Sequence, residues 1–159
     1  EELNILEVKK EPYALKFTGL DGKETDFAQL RGKVVALYFW NSTNKGSTDR
    51  LAQLLQIHSA YKKRGFELVT VSTDKAEDRE KLQKFVKENR VNVPIYYDGK
   101  IYKNDFGPKL NVYGVPRLMV FDQKGILPTT IQGGPVGRLQ ADLPQNQLEG
   151  TIKRLLNIK

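Results

Sequence analysis

The sequence predicts an α/β domain built on one sheet with a parallel centre and an antiparallel edge. Two continuous runs of β-branched and aromatic residues, 33–40 and 66–72, are typical of strands that are buried on both faces. A segment with helical spacing of apolar residues separates them, so the three elements form a βαβ unit. A third apolar run, residues 117–121, is followed by a turn and supplies the antiparallel edge.

Turn and cap residues place the other elements. Asp-Gly favours a tight turn, a hydroxyl residue before an apolar stripe favours a helix start, and a later Gly favours a helix end. A strand that begins with Pro is expected at a sheet edge, because Pro has no N–H to donate. In chain order we predict a hairpin over 15–27 around Asp21-Gly22, a polar loop over 41–47, a helix from Ser47 or Thr48 to Gly65, a surface helix over 75–90, an edge strand over 93–97, a short helix over 105–113, a hairpin joining 117–121 to 126–132, a loop over 133–137 and a terminal helix over 148–156.

Length and composition indicate one globular domain. The chain has 159 residues, of which 39% are hydrophobic and 28% charged, which is enough apolar material for a core and excludes the disordered class. We expect residues 1–14 to be a lead segment and residues 15–159 to be the domain. The net charge of +7 is spread along the chain, so nucleic acid is not an expected partner. No apolar stretch approaches the ~18 residues of a membrane span.

The chain contains no cysteine. This excludes disulfides, thiolate nucleophiles, zinc sites with cysteine ligands and lipid attachment through a thiol. The remaining His, Asp and Glu residues form no cluster with the spacing of metal ligands, so we expect neither a metal site nor another cofactor.

Five stretches, taken in their order and spacing, resemble the thioredoxin superfamily. They are residues 17–23 (FTGLDGK), 30–40 (LRGKVVALYFW), 69–74 (VTVSTD), 113–122 (YGVPRLMVFD) and the turn 124–125 (KG). The sequence is most similar to the TlpA/ResA-type thiol-disulfide oxidoreductases, among the AhpC/TSA-redoxin relatives. The resemblance implies a thioredoxin-like fold, with a central mixed sheet flanked by helices and an N-terminal β-hairpin extension. It also implies an extracytoplasmic bacterial protein, periplasmic or in the cell envelope, whose signal segment lies outside this chain.

The catalytic motif of that family is missing. In the family, Phe-Trp is followed after three residues by Cys-x-x-Cys, and counting from Phe39-Trp40 puts Asn44-Lys45-Gly46-Ser47 at these positions. Family enzymes need a thiolate at the helix N-terminus and a second thiol that releases the mixed disulfide. An amide and a hydroxyl supply neither, so we assign no catalytic residue. The peroxidase activity of the peroxiredoxin branch is excluded in the same way, because its reactive residue would lie in the same loop.

The resemblance also implies a groove beside the former motif. Pro116 matches the family's cis-proline, and in relatives the residue before that proline pairs its backbone with an extended peptide. Trp40, Asn44, Val115 and Pro116 are therefore the candidate peptide-binding residues. The alternative is that Pro116 is present only because the turn requires it.

A serine enzyme is a poor alternative. His58 is the only histidine, and 11 helical residues separate it from Ser47, a distance of about 16 Å at 1.5 Å per residue. Ser47 is expected to cap the helix, and His58 is expected to pack on its apolar face.

Three hypotheses remain: a redox-inactive domain that binds a peptide or protein, a module with a purely structural role, and an altered version of an active oxidoreductase. Asn at position 44 argues against the last, because an engineered Cys-to-Ser pair would leave Ser at both ends. The sequence predicts neither the identity of a partner nor the oligomeric state.

Overall fold

The computed structural model describes residues 15–103, 112–125, 130–131, 134–135, 138–139 and 145–157. The expected lead segment, residues 1–14, lies outside them. The strands are β1 (Lys16–Thr18), β2 (Glu24–Asp26), β3 (Val34–Trp40), β4 (Phe66–Ser72), β5 (Ile95–Tyr96), β6 (Arg117–Phe121), β7 (Thr130–Ile131), β8 (Gly134–Pro135) and β9 (Arg138–Leu139), and the α-helices are α1 (Lys45–Tyr61), α2 (Arg79–Glu88) and α3 (Gln145–Leu155). Short 3₁₀ helices lie at Phe27–Leu30, Lys62–Arg64, Ala76–Asp78 and Ile101–Lys103.

The central sheet is mixed, as the sequence predicts. Its strand order is β5-β4-β3-β6-β9, with β3, β4 and β5 parallel and with β6 antiparallel to both of its neighbours. All of β3 is buried, because it lies between a parallel and an antiparallel strand and both of its faces are covered. The predicted N-terminal hairpin is confirmed as β1 and β2, and Gly22 in its turn has the positive φ of 83° that favours glycine.

Two apolar layers cover the two faces of β3. Val34, Ala36, Tyr38 and Trp40 belong to one cluster with apolar residues of all three α-helices, and the alternate residues of β3 belong to a second cluster. The second cluster includes Phe27, which lies in the 3₁₀ helix after β2. The sheet is thus held between the α-helices on one face and residues 15–30 on the other. In the described residues, no helix is both long and apolar enough to cross a membrane.

Helix α1 begins earlier than the sequence predicts. The expected N-cap, Ser47 or Thr48, is wrong: the helix starts at Lys45, and the Asn44 side chain caps it by accepting a hydrogen bond of 2.8 Å from the Ser47 N–H. Asn is as good a cap as Ser, and the polar loop contained several candidates for the position. The predicted end is confirmed, since Gly65 has a φ of 101° after the short 3₁₀ turn.

The C-terminal third differs more from the sequence prediction. The strand beside β6 at the sheet edge is β9 and not the predicted arm over 126–132, and β8 lies inside the predicted loop over 133–137. Strands of two residues carry no alternation of apolar and polar residues, so local patterns do not reveal them. Most of the predicted arm and of the predicted helix over 105–113 lies outside the described residues.

Candidate functional site

Three chain segments meet at one edge of the sheet. The register pairs Trp40 at the end of β3 with Ser72 at the end of β4, and pairs Phe39 with Arg117 at the start of β6. The connection from β3 to α1 therefore lies beside the segment after β4 and the segment before β6. We call this surface, formed by residues 41–47, 72–75 and 113–117, the loop edge. Ligands of open α/β sheets bind at the carboxyl ends of the parallel strands, which is where the loop edge lies.

The four former motif positions form the start of α1. Asn44 is the N-cap, and Lys45, Gly46 and Ser47 belong to the first helical turn. The first three are exposed, whereas Ser47 has no accessible surface. The Lys45 ammonium lies 2.9 Å from a carboxylate oxygen of Asp49, one turn along the helix. The exposed part of the former motif is therefore an amide, a lysine and a glycine.

Ser47 ties the loop to the helix and is not available as a nucleophile. Its Oγ accepts a hydrogen bond of 3.0 Å from the Asn41 N–H, and the carbonyl oxygens of Asn41 and Asn44 lie 2.7 and 3.0 Å away as acceptors for its proton. His58 is not brought to Ser47, because its Nε2 lies 2.9 Å from Oε1 of Glu67, near the opposite end of β4. The described geometry thus contains no Ser–His pair.

Tyr38 stabilises the same turn from the core side. Its hydroxyl donates a hydrogen bond of 2.7 Å to the carbonyl of Ser47. Burial raises the pKa of this phenol, and the nearby Arg50 guanidinium acts in the opposite direction. Tyr38 therefore stays protonated and remains a hydrogen-bond donor. The resemblance implies an acidic or amide residue at this position in many relatives, whereas Tyr38 holds the loop here by its hydrogen bond to Ser47.

Asp74 is a buried carboxylate that holds the other end of the loop. It has no accessible surface, and its two oxygens accept hydrogen bonds of 2.7 Å from the Ser42 N–H and 2.6 Å from the Ser42 hydroxyl. Burial raises the pKa of Asp74, and the Ser42 hydrogen bonds oppose that effect. No role was predicted for Asp74 from the sequence, although an Asp two residues after a buried strand, at the carboxyl edge of a sheet, is a usable signal.

Trp40 is a wrong candidate for peptide contact. Its side chain has no accessible surface and packs on Phe85 of α2, with ring centroids 5.5 Å apart. It lies on the face of β3 that the α-helices cover, because side chains alternate along a strand and Tyr38 faces the same side. Trp40 belongs to the core beneath the loop edge. Its indole N–H has no hydrogen-bond partner among the described residues.

Val115 and Pro116 lie at the surface of the loop edge. Both are half-buried, and the peptide bond between them is cis. Tyr113 is 65% exposed, and the exposed Arg117 donates a hydrogen bond of 3.0 Å to the carbonyl of Pro116. Within the described residues, no hydrogen bond engages the backbone N–H or C=O of Val115. The segment before β6 therefore presents backbone and an aromatic side chain to solvent.

The described side chains offer no evident metal centre. Among residues 15–103, 112–125 and 145–157, no group of three or more His, Asp and Glu side chains could hold a metal ion. The loop edge contributes a single carboxylate with short contacts, Asp74, and both of its oxygens are engaged by Ser42.

Comparison with known proteins identifies the family. A sequence profile of the Thioredoxin-like family matches residues 32–127, which is more than half of the chain. This chain belongs to the thioredoxin-like family. The match spans β3, α1, β4 and β6, the elements that build the loop edge.

Curated relatives and solved structures agree with that assignment. The chain is 26% identical over 155 residues to the thiol-disulfide oxidoreductase ResA of Bacillus thuringiensis, covering 94% of this chain and 79% of the relative. It is 27% identical over 117 residues to ResA of Geobacillus thermodenitrificans, covering 72% and 63%. The thioredoxin domain of a Bacteroides vulgatus thiol-disulfide oxidoreductase superposes with a TM-score of 0.72 at 22% identity, covering 94% of this chain and 97% of that one. A secreted Mycobacterium tuberculosis disulfide oxidoreductase homologous to DsbE gives a TM-score of 0.64 at 22% identity, with coverages of 87% and 93%.

The thioredoxin-like fold is therefore established, and the chain that adopts it contains no cysteine. The resemblance to TlpA/ResA-type oxidoreductases is confirmed by the curated relatives, and the central mixed sheet is confirmed by the structure. Thiol-disulfide exchange requires a thiolate that attacks and a thiol that resolves. A chain without cysteine has no thiol of its own for either step.

Proposed function

We propose that this thioredoxin-like domain is redox-inactive and binds an extended peptide or protein segment at the loop edge. The bound segment would pair with the backbone of Val115 by strand addition and run past Asn44 at the start of α1. One observation carries the proposal: the chain has no cysteine, yet the former motif positions and Asp74 still form an ordered, hydrogen-bonded edge.

The surroundings of Val115 support pairing with a peptide. Its backbone makes no hydrogen bond to another described residue, and Tyr113 offers an exposed ring two positions away. Unpaired N–H and C=O groups at a sheet margin are the usual template for an added strand. An aromatic side chain beside such a template supplies apolar contact at a low cost in conformational entropy.

The rigidity of the loop also supports binding. Ser47 and Asp74 hold both ends of the connection, and Asn41 closes it by accepting hydrogen bonds from the Thr43 N–H and hydroxyl at 2.8 and 2.6 Å. A surface that is already ordered loses less conformational entropy when it binds. The loop edge is thus ordered before it binds, and the hydrogen bonds that order it involve no catalytic residue.

The test uses isotope-labelled protein and a pool of short, unstructured peptides, with NMR shifts of the backbone amides as the readout. We expect peptides that bind to shift the amides of Asn44 and Val115. Gly114 provides matched variants, because a Cβ there meets no atom within 4 Å and its backbone has no positive φ. Gly114→Trp should obstruct the edge and abolish the shifts, whereas Gly114→Ala should preserve them.

Three results would overturn the proposal. Shifts that survive in Gly114→Trp, or a partner that perturbs only distant surfaces, would leave a purely structural role for the loop edge. Turnover of insulin disulfides or of peroxide above a buffer control would show that the domain is an enzyme. We expect no turnover in either assay.

We also propose a bacterial, extracytoplasmic location for this domain. The proposal is supported by the resemblance to TlpA/ResA-type proteins and by the description of one similar structure as a secreted protein. Expression of the full-length gene with a periplasmic reporter fusion tests it, and retention of the reporter in the cytoplasm would contradict it.

A further inference from the structure

A second concave surface lies between the β1–β2 turn, α2 and the segment that leads into β5. It shares no residue with the loop edge and has a volume of about 360 Å³. Its floor is aliphatic and consists of Leu20, Val86, Val91, Val93 and Ile95. We call it the hairpin groove.

Hydrogen bonds fix the walls of the hairpin groove. The Leu20 N–H donates to the carbonyl of Ile95 at 2.8 Å, which attaches the hairpin to the outer strand of the sheet. The Val91 N–H donates to the carbonyl of Val86 at 3.0 Å and turns the chain back beneath α2. Leu20 and Val86 are half-buried, so they remain partly open to a ligand. The groove is therefore a built feature of three elements and not a gap beside one loop.

The rim of the hairpin groove has a net charge of +1, from two lysines and one aspartate. Lys23 and Lys87 line it, both are exposed, and neither forms an ion pair with a described residue. Asp21 is the acidic residue of the lining, and its Oδ1 already accepts a hydrogen bond of 3.0 Å from the Lys23 N–H. The neighbouring Lys81 of α2, by contrast, is paired with Asp78 at 3.6 Å.

The aliphatic floor and the cationic rim together favour a partner that is both apolar and acidic. An apolar side chain gains about 25 cal/mol for each Å² that it removes from water, and carboxylates on the same segment complement two unpaired ammonium groups. A second copy of this chain is a less favourable occupant, because each copy carries a net charge of +7.

We propose that the hairpin groove binds an acidic, aliphatic peptide segment of a partner protein. Its aliphatic side chains fill the floor, and its carboxylates face Lys23 and Lys87. This site is independent of the peptide binding proposed for the loop edge, and a partner that occupies both surfaces would gain affinity from each.

The experiment titrates the labelled protein with the acidic peptide Ac-ELEVEL-NH₂ and, separately, with the basic peptide Ac-KLKVKL-NH₂. We expect the acidic peptide to shift the amides of Leu20, Val86 and Asn92, and the basic peptide to leave them unchanged. The double variant K23E/K87E should weaken binding of the acidic peptide about tenfold or more, since two attractive charge pairs become repulsive. Val86→Ser, which keeps both charges, should also weaken it.

The matched control is K63E/K124E, which makes the same change of net charge at exposed lysines outside the groove. Exposed charges are largely screened beyond about 8 Å at physiological salt, so this control should change the affinity by less than about threefold. Folding of each variant is checked by its amide spectrum.

Equal binding of the two peptides, an equal loss in both double variants, or no shift at millimolar acidic peptide would overturn the proposal. Gly114→Trp should not alter this titration, so its outcome is separate from that of the loop edge.

Discussion

The two ends of the β3–β4 pair organise their polar groups in opposite ways. At the carboxyl end, Ser47 and Asp74 are fully buried, and their hydrogen bonds hold the loop backbone. At the amino end, Glu67 lies between Lys33 at 3.2 Å and His58 at 2.9 Å, and its side chain is 28% exposed. One end is a buried network that includes backbone groups, and the other is a surface cluster of ionisable side chains.

This difference shows where polar interactions are costly to lose. A buried donor or acceptor without a partner costs about 1 to 3 kcal/mol, whereas an exposed ion pair contributes about 0 to 1 kcal/mol. The hydrogen bonds that are most costly to lose lie at the carboxyl end, where the family's motif would stand. Asn44 and Ser47, which occupy the positions of the missing thiols, take part in it by capping α1 and fixing the loop. The structural order of the loop edge is therefore independent of redox chemistry.

Restoring both thiols would change the carboxyl end most. In the double variant N44C/S47C we expect insulin reduction to rise from background to clear turnover. Residues three apart in a helical turn have Cα atoms about 5 Å apart, within the range of a disulfide, and a helix N-terminus lowers the pKa of a thiol. The single variant N44C, which has no resolving thiol, should show no turnover. A folded double variant without turnover would mean that the loop edge no longer supports thiol chemistry.

Truncation of the buried carboxylate should have the next largest effect. We expect Asp74→Ala to lower the free energy of unfolding by about 2 kcal/mol, because the Ser42 N–H and hydroxyl both lose their acceptor. Urea unfolding at neutral pH, with an unchanged m-value, measures it. Asp74→Asn is the control, since its side-chain oxygen still accepts from the Ser42 N–H, and its loss should be less than about 1 kcal/mol. Equal losses in the two variants would contradict the assigned role of the hydrogen bonds.

The centre of the fold was predictable from the sequence because its elements are locally consistent. Continuous apolar runs identified β3 and β4, and Gly22 and Gly65 stood where the backbone needs a positive φ. The C-terminal strands were not predictable in the same way. A strand as short as Arg138–Leu139 is determined by its pairing with β6, which no local pattern contains.

The candidate site was predictable in place but only partly in its residues. Counting from Phe39-Trp40 puts the former motif at residues 44–47, and the structure places these residues at the start of α1. Trp40 was misassigned because an aromatic residue at the end of a strand fits a groove and a core equally well, and only its packing on Phe85 of α2 decides between them. The pairing of Ser42 with Asp74 joins residues 32 positions apart, so no local sequence pattern contains it.

The pH dependence of stability provides a finer test of the carboxyl end. Burial raises the pKa of folded Asp74 above its unfolded value of about 3.9, so the folded state binds this proton more tightly. The stabilising contribution is therefore full below about pH 3.9 and is lost as the pH rises through the folded pKa. We expect the stability of the wild-type chain relative to Asp74→Asn to fall over that interval. A difference that stays constant or rises with pH would contradict the raised pKa.

The amino end should respond least. We expect Glu67→Gln to lower the free energy of unfolding by less than about 1 kcal/mol, because Glu67 and Lys33 are partly exposed, and water and salt replace much of their attraction. Urea unfolding in low and in molar salt measures the effect, and the difference between Glu67→Gln and the wild-type chain should shrink at high salt. Lys33→Gln serves as a second probe of the same ion pair and should give a similar, small loss. The distinction between the two ends would be contradicted if Glu67→Gln lowered the free energy of unfolding as much as Asp74→Ala does, with no dependence on salt. The His58–Glu67 contact would then contribute as much as a buried hydrogen bond.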